Sequence, residues 1–249
     1  MAAAAASAGA PDYGLDSPAI VKEWYGRAGW TFAFGLLLWF MNRQEYPGPA
    51  VTLLITLALI AAVMFGIGWF MNWSSRVGKV QARDKILDSL ELKGGEKVLD
   101  AGCGRGLMAI GIAKKLSKAG KVTAMDVWDT NALSGNLGDA TRENVKNEGV
   151  TDRVRVENGD MRKMPYPDGN FDVVVSTWAL HHIQEETDRD QAVRELLRVT
   201  KSSGRIVIAD THYPGRYADI LRQARAEVTV SPLGLLWCLP AKSVVARKP

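Results

Sequence analysis

Val98-Leu-Asp-Ala-Gly-Cys-Gly-Arg-Gly106 runs from an apolar strand straight into three alternate glycines. A buried strand that ends in glycine and leads into a helix brings backbone amides close to a nucleotide-like ligand, and this confines the chain to an α/β architecture. A second apolar strand, Lys121-Val-Thr-Ala-Met-Asp126, ends in a carboxylate 24 residues beyond Gly102. A carboxylate at that strand end is placed to accept both hydroxyls of a ribose. Val154-Arg-Val-Glu-Asn-Gly-Asp-Met161 alternates like a strand and also ends in an acid. There Asp160 is a candidate for an exocyclic amine and Met161 for the face of a flat ring, against a competing reading of Asp160 as a turn residue that satisfies local amides. The glycines depart from the Gly-x-Gly-x-x-Gly spacing of dinucleotide sites, so a second phosphate-bearing half is not provided for.

Phe171-Asp-Val-Val-Val-Ser176 and Arg205-Ile-Val-Ile-Ala209 are near-continuous apolar runs, the pattern of parallel strands covered by helices on both faces. Residues 187–200 carry Ala192, Val193, Leu196, Leu197 and Val199 at mostly helical spacing. A further helix is expected over 217–227, then strands at 228–231 and 243–246. The result is an open, doubly wound, mostly parallel sheet of about seven strands, whose ligands bind outside the carboxyl ends of the strands.

The front of the chain is different. Residues 50–71 carry no charge and reach the roughly 20 residues needed to cross hydrocarbon. A buried helix of that kind needs a second large core, and too few residues precede it. Residues 28–41 are apolar and aromatic, and reach spanning length if the helix begins near Trp24 and Arg27 snorkels from its end. One span plus an interfacial helix is the alternative to two. Asn42-Arg-Gln-Glu-Tyr-Pro-Gly-Pro49 reads as a turn, with Pro49 in the first turn of the second helix. The expected organisation is a disordered tail over 1–20, a transmembrane hairpin over 21–75 and a catalytic domain over 76–249. Lys22 and Arg27 flank the entry to the hairpin and Arg76, Lys79, Arg83 and Lys85 follow its exit, against Arg43 and Glu45 in the loop. This asymmetry places both termini and the catalytic domain on the cytoplasmic side. Trp24, Trp30, Trp39, Trp69 and Trp73 fall near the helix ends, as interfacial anchors or as packing residues.

The net charge of +4 is modest, and basic residues just after the second apolar run suit anionic lipid better than nucleic acid. Two cysteines, Cys103 and Cys238, give no disulfide framework. Residues 1–18 are rich in Ala, Gly, Ser and Pro without apolar periodicity, and lack the basic start and apolar core of a signal peptide.

Taken as an ordered set, Val98–Gly106, Val122–Asp126, Asn158-Gly-Asp-Met161, Met164-Pro-Tyr-Pro-Asp-Gly-Asn-Phe-Asp-Val-Val-Val-Ser176 and Leu196-Leu-Arg-Val-Thr-Lys-Ser-Ser-Gly-Arg-Ile-Val-Ile-Ala209 carry a resemblance. Over roughly residues 82–249 the chain resembles the class I S-adenosylmethionine-dependent methyltransferases, in particular the small-molecule branch with the ubiquinone/menaquinone C-methyltransferases and sterol methyltransferases. The resemblance implies S-adenosylmethionine as cofactor and an antiparallel edge pair closing the sheet. It implies Asp100, Gly102, Cys103 and Gly104 around the methionine portion, Asp126 and Val127 at the ribose, Asp160 and Met161 at the adenine, and Ser176 between cofactor and acceptor. The chain departs from the family at Trp128-Asp129, where small polar residues are usual, and at Ser134-Gly-Asn-Leu-Gly138, a glycine-bearing insertion.

Methyl transfer from a sulfonium needs in-line approach with water excluded, and a base only where the acceptor arrives protonated. Trp178-Ala-Leu-His181-His182 supplies the local candidates. His181 or His182 serves as base or proton shuttle, or else lines the pocket or caps a helix. His212 and Tyr213, after Asp210, are candidates for closing the acceptor pocket. Three histidines are too few and too scattered for a metal site, so no metal is expected. A short linker over 72–81 holds the domain near the bilayer, which favours a lipophilic small acceptor such as a quinone, sterol, or prenylated phenol or thiol over protein or nucleic acid. Two rival functions are a nicotinamide-dinucleotide oxidoreductase, which needs the longer phosphate fingerprint, and a silent membrane scaffold, which has no need of Gly102, Gly104, Asp126 and Asp160.

Overall fold

Alternation along the strands sends successive apolar side chains to opposite faces of one sheet, and each face receives its own layer of helices. The computed structural model describes residues 11–131, 133–236 and 239–249. Cys238 and residues 1–10 of the expected tail lie outside the described residues. The strands are β1 (Lys97–Ala101), β2 (Lys121–Asp126), β3 (Val154–Asn158), β4 (Phe171–Thr177), β5 (Thr200–Asp210), β6 (Glu227–Leu236) and β7 (Leu239–Arg247). They form a seven-stranded sheet in the order β3-β2-β1-β4-β5-β7-β6. β1 to β5 pair in parallel, and β7 runs antiparallel to both β5 and β6. The mostly parallel sheet with an antiparallel edge is the architecture expected.

Val98, Val122, Ala124, Val173, Val175 and Val207 pack on one face, with Ile86 and Leu87 of α3 (Lys79–Ser89), Leu90 just after it, and Met108, Ile110 and Ile112 of α4 (Leu107–Lys115). Leu99, Ala101, Met125, Val174, Ile206 and Ile208 face the other way, against α6 (Glu186–Val199) and α7 (Pro214–Gln223). α5 (Gly138–Asn147) joins β2 to β3. The order reverses between β1 and β4, so the loops after these two strands diverge and leave a crevice at their carboxyl ends.

Ahead of this domain stand α1 (Pro18–Asn42) and α2 (Pro47–Trp73). They pack antiparallel: Tyr25 meets Phe65 at 5.2 Å between ring centroids, Gly68 lies against Tyr25, and Gly35 lies against Leu57. Their outward surface is apolar, with Trp30, Phe34, Phe40, Leu59, Val63 and Trp69 all exposed. A contiguous apolar surface of that kind needs a nonaqueous cover or a partner. Among the described residues one helical stretch, Pro47–Ser89, is long and apolar enough to cross a membrane, with a mean hydropathy of 2.6 over its most apolar window. α1, which carries Lys22, Glu23 and Arg27 in its first half, does not reach that mark.

The expected linker over 72–81 is helical throughout. A single π turn, Ser74–Gly78, joins α2 to α3 without a break, so the domain is carried on a stiff helix. Residues 11–17, read from sequence as tail, lie instead as a strap against the α/β domain. If the apolar helices span a bilayer, the full chain stays with membranes through a high-salt wash and enters solution on addition of detergent. Recovery in high-salt buffer alone counts against a span.

Candidate functional site

The loop after β1 turns so sharply that its own amides bond back to the sheet. The Gly102 and Cys103 N–H groups donate to the Met125 carbonyl at 2.8 and 3.1 Å. Gly102 has φ +77°, and a Cβ there would lie 2.3 Å from Ala179 Cβ and 2.9 Å from Met161 Cε. This is a close approach between the β1 loop and the segment after β4 that only glycine permits.

Asp126, at the end of β2, organises this loop. Its Oδ2 accepts the Gly104 N–H at 2.7 Å, while Oδ1 accepts the Trp128 N–H at 2.7 Å and Asn136 Nδ2 at 3.4 Å. Three donors on a group with about four lone-pair sites leave limited capacity for a ligand hydroxyl. Asp126 is therefore first a clamp on the glycine turn.

Asp100 sits beneath the same turn, fully buried, and neither carboxylate oxygen has a hydrogen-bond partner. Burial pushes it up to about 7, opposed by the backbone amide of Ala109 and reinforced by the charge of Asp126. An acid raised on folding binds more protons in the folded state between its ordinary value of 3.8 and 7. Its contribution to stability is therefore most favourable at low pH, falls across that interval, and is constant above it. Asp100→Asn is expected to raise the chemical-denaturation stability of the ligand-free protein above pH 7, by at most about 4 kcal/mol. The gain shrinks toward zero near pH 4, and a gain independent of pH shows the site to be stable with the ionised acid. Burial likewise pushes the Cys103 thiol up, with the nearby Asp100 charge adding to it, which leaves it a packing residue rather than a nucleophile.

A cavity of about 200 Å³ opens above the turn. Gly102, Cys103, Gly104, Asp126, Val127 and Met161 line it, as does His182 from the segment after β4. Of the other expected residues, Asp100 lies below the wall, and Ser176 is buried in β4 with an unpartnered hydroxyl, while Thr177, Trp178 and Ala179 reach the cavity. The Asp160 carboxylate turns away from the cavity to the Arg162 guanidinium at 2.6 Å and accepts the Arg162 N–H at 2.8 Å. Arg162 holds its carboxyl below the usual range. Of the two readings of Asp160, the local turn is the one formed here.

The two histidines divide. His182 lines the cavity, and burial, followed by the neighbouring His181, pushes it down to about 4, so it stands neutral at physiological pH. His181 Nδ1 lies 2.6 Å from Asp210 Oδ1, and the His181 N–H donates to Asp210 Oδ2 at 3.2 Å. A carboxylate accepts, so in the neutral ring the proton sits on Nδ1 and the lone pair on Nε2. The expectation of scattered histidines is corrected: all three come together, with ring centroids of His181 at 4.1 Å from His182 and 5.5 Å from His212. Parallel pairing of β4 and β5, which sets Thr177 opposite Ala209, brings the two loops side by side.

A third wall comes from outside the sheet. Tyr13 and Asp16 of the strap and Lys79 at the start of α3 line the cavity. Lys79 Nζ is buried and donates to the Tyr13 and Gly14 carbonyls at 3.1 and 3.3 Å, and pairs with Asp16 at 3.1 Å. It is thus turned inward, not toward anionic lipid as its sequence position suggested. The strap is held further by Asp12 to Arg105 at 3.0 Å, Tyr13 Oη to Glu148 at 2.9 Å, and mutual bonds between Leu15 and Ser134 at 2.7 and 3.0 Å. Ser134 and Asn136 belong to the insertion that departs from the family pattern, and Trp128 caps Asp126 from a left-handed φ of +62°. These departures secure the loop and the strap. The strap contacts carry no motif, so the sequence offered no signal for them.

Donor chemistry suits an adenosyl-amino acid sulfonium: a cradle a Cβ would fill, the acid at the end of β2, and the apolar faces of Met161 and Leu133 in one cavity. Residues 99–208 match the family model described as Methyltransferase domain. The chain is 35% identical over 137 residues to the methyltransferase GfsG of Streptomyces halstedii, covering 55% of this chain and 45% of that protein. It is 28% identical over 137 residues to the ubiquinone/menaquinone biosynthesis C-methyltransferase UbiE of Shewanella sediminis, covering 55% and 50%. The chain thus spans about half the length of the curated relatives it matches. Among solved structures, a SAM-dependent methyltransferase from Aquifex aeolicus superposes with a TM-score of 0.55 at 23% identity, covering 70% of this chain and 94% of that one, which shows a shared fold. Residues 99–208 thus match a methyltransferase domain and lie in a fold of that type, and the cofactor this match implies is S-adenosylmethionine.

Proposed function

We propose that the protein is a membrane-anchored methyltransferase that methylates a small lipophilic acceptor drawn from the bilayer, with its catalytic domain on the cytoplasmic side. The observation that carries this reading is the makeup of the cavity wall: Tyr13 and Asp16 immediately precede the first apolar helix and Lys79 follows the second. An acceptor leaving the membrane at the foot of the hairpin meets the glycine turn without crossing open water.

S-adenosylmethionine supplies a methyl group on a sulfonium. In this reading Gly102, Cys103 and Gly104 hold the methionine portion with Asp100 beneath them, Asp126 and Val127 the ribose, and Met161 the adenine face. Asp160 reaches the adenine amine only by exchanging its bonds with Arg162, and Ser176 supports the wall from below. Trp178 and His182 exclude water and orient the acceptor for in-line attack. The His181–Asp210 pair stands behind His182 and receives the proton of an acceptor that arrives protonated. Asp210 is a positioning residue that fixes the tautomer of His181.

The testing measurement is calorimetric titration of the detergent-purified full chain with S-adenosylmethionine, with a nicotinamide dinucleotide for comparison. Saturable, selective binding of the methyl donor is expected, and its absence in folded protein moves the scaffold reading to first place. With a prenylated quinol or phenol in mixed micelles, His181→Ala is expected to lower kcat at least tenfold while the donor Kd stays within twofold. Unchanged turnover in His181→Ala and in His182→Ala removes the proton-acceptor role from both.

A further inference from the structure

The meeting of the three histidines has a second chemical consequence. One ligand atom from each of His181, Asp210 and His212 lies within 4.8 Å of the other two. The two rings are oriented from behind. His181 Nδ1 is held by Asp210, and His212 Nδ1 lies 2.9 Å from Thr211 Oγ1, so each ring presents Nε2 away from its anchor. A ring whose Nδ1 donates to a carboxylate has a fixed tautomer and a more basic Nε2, the arrangement that surrounds histidine ligands in metal sites, and a hydroxyl orients its ring by donating or accepting. Asp210 is buried and also accepts the Thr211 and His181 N–H groups at 2.7 and 3.2 Å, so its place is behind His181 rather than on an ion. His212 is exposed and provides a path for an ion from solution.

We propose that His181 and His212 bind a divalent transition ion of the zinc, cobalt and nickel class through a ring nitrogen each, with Asp210 orienting His181 and water completing the coordination. Imidazole nitrogens select such ions over magnesium and calcium, which take oxygen donors. A bound ion holds the lone pair of His181 that a proton acceptor needs, so loading inhibits methylation of protonated acceptors. That consequence rests on the function proposed above, whereas binding itself does not.

The test uses the full chain without a histidine tag, in detergent, titrated with cobalt(II) as a spectroscopic probe and with zinc by calorimetry, in the absence of methyl donor. One ion per chain and a visible cobalt absorption band are expected. His212→Ala, at an exposed position that leaves the fold intact, is expected to weaken binding at least tenfold, and Asp210→Asn by roughly 10- to 100-fold. No saturable cobalt binding by the wild-type protein, or undiminished binding by His212→Ala, overturns the proposal. Donor titration of the same sample separates the two readings. Donor binding without cobalt binding removes the metal site and leaves the transferase standing, and cobalt binding without donor binding does the reverse.

Discussion

Gly102→Ala is expected to reduce S-adenosylmethionine affinity by roughly 100-fold or more and to lower the melting temperature of the domain. The left-handed φ of +77° at this position disfavours any Cβ, at about 1–2 kcal/mol. The added methyl also collides with Ala179 Cβ at 2.3 Å. That atom has no rotamer with which to yield, so backbone must move, and overpacking of this kind costs about 1–3 kcal/mol. The two together come to about 3 kcal/mol, more than a factor of 100 if it falls on the ligand-ready form of the loop. Gly149→Ala is the matched control, since Gly149 also has a positive φ of +67° but no atom within 4 Å of the new methyl. It is expected to cost about 1 kcal/mol of stability and to leave donor affinity unchanged. Calorimetric Kd and thermal unfolding on both variants decide the matter, and wild-type affinity in Gly102→Ala shows that the loop is free to separate from the β4 segment.

Asp126→Ala is expected to weaken donor binding at least 30-fold and to loosen the glycine turn even without ligand. The carboxylate accepts from Gly104, Trp128 and Asn136, and bonds to an ionised acceptor contribute about 1.5–3 kcal/mol each. A simple ribose contact predicts a different pattern, loss of affinity with an undisturbed apo loop. Asp126→Asn separates the two, because an amide NH2 must face either the Gly104 or the Trp128 N–H, donor against donor. On the clamp reading Asn is therefore nearly as damaging as Ala, and amide hydrogen exchange at Gly104 and Trp128 rises in both variants. Retention of slow exchange with weakened binding assigns Asp126 to the ligand alone.

Much of the α/β domain is legible from local pattern. Apolar runs such as Val173–Val175 and Ile206–Ile208 are strands because both sheet faces are covered, and helical spacing over 187–200 matches α6 at Glu186–Val199. The position of Asp126 at a strand end follows from the same pattern, as does the cavity-lining place of Gly102, Gly104 and Met161. Less legible is what each side chain bonds to. Asp160 stands where a base-reading acid is expected, yet Arg162, two residues on, occupies its carboxylate. Ser176 and Thr177 differ by one position in β4, and period-two alternation buries the first and sends the second to the cavity. Residues 72–81 read as a linker because charges interrupt the apolar run, but helical hydrogen bonding continues through a π turn regardless of that change in polarity.

The sequence by itself determined the succession of strands and helices in an α/β domain, the glycine turn, the acid at the end of β2 and the uncharged run ahead of them, because each depends on interactions within about one element's length. Tertiary structure alone decided that Asp16 and Lys79 pair over the cavity across 63 residues, that an insertion anchors the strap through Ser134, and that His212 joins His181 beside Asp210. Those contacts link segments distant in the chain, and it is the parallel register of β4 and β5 and the return of the apolar hairpin that bring them within bonding distance.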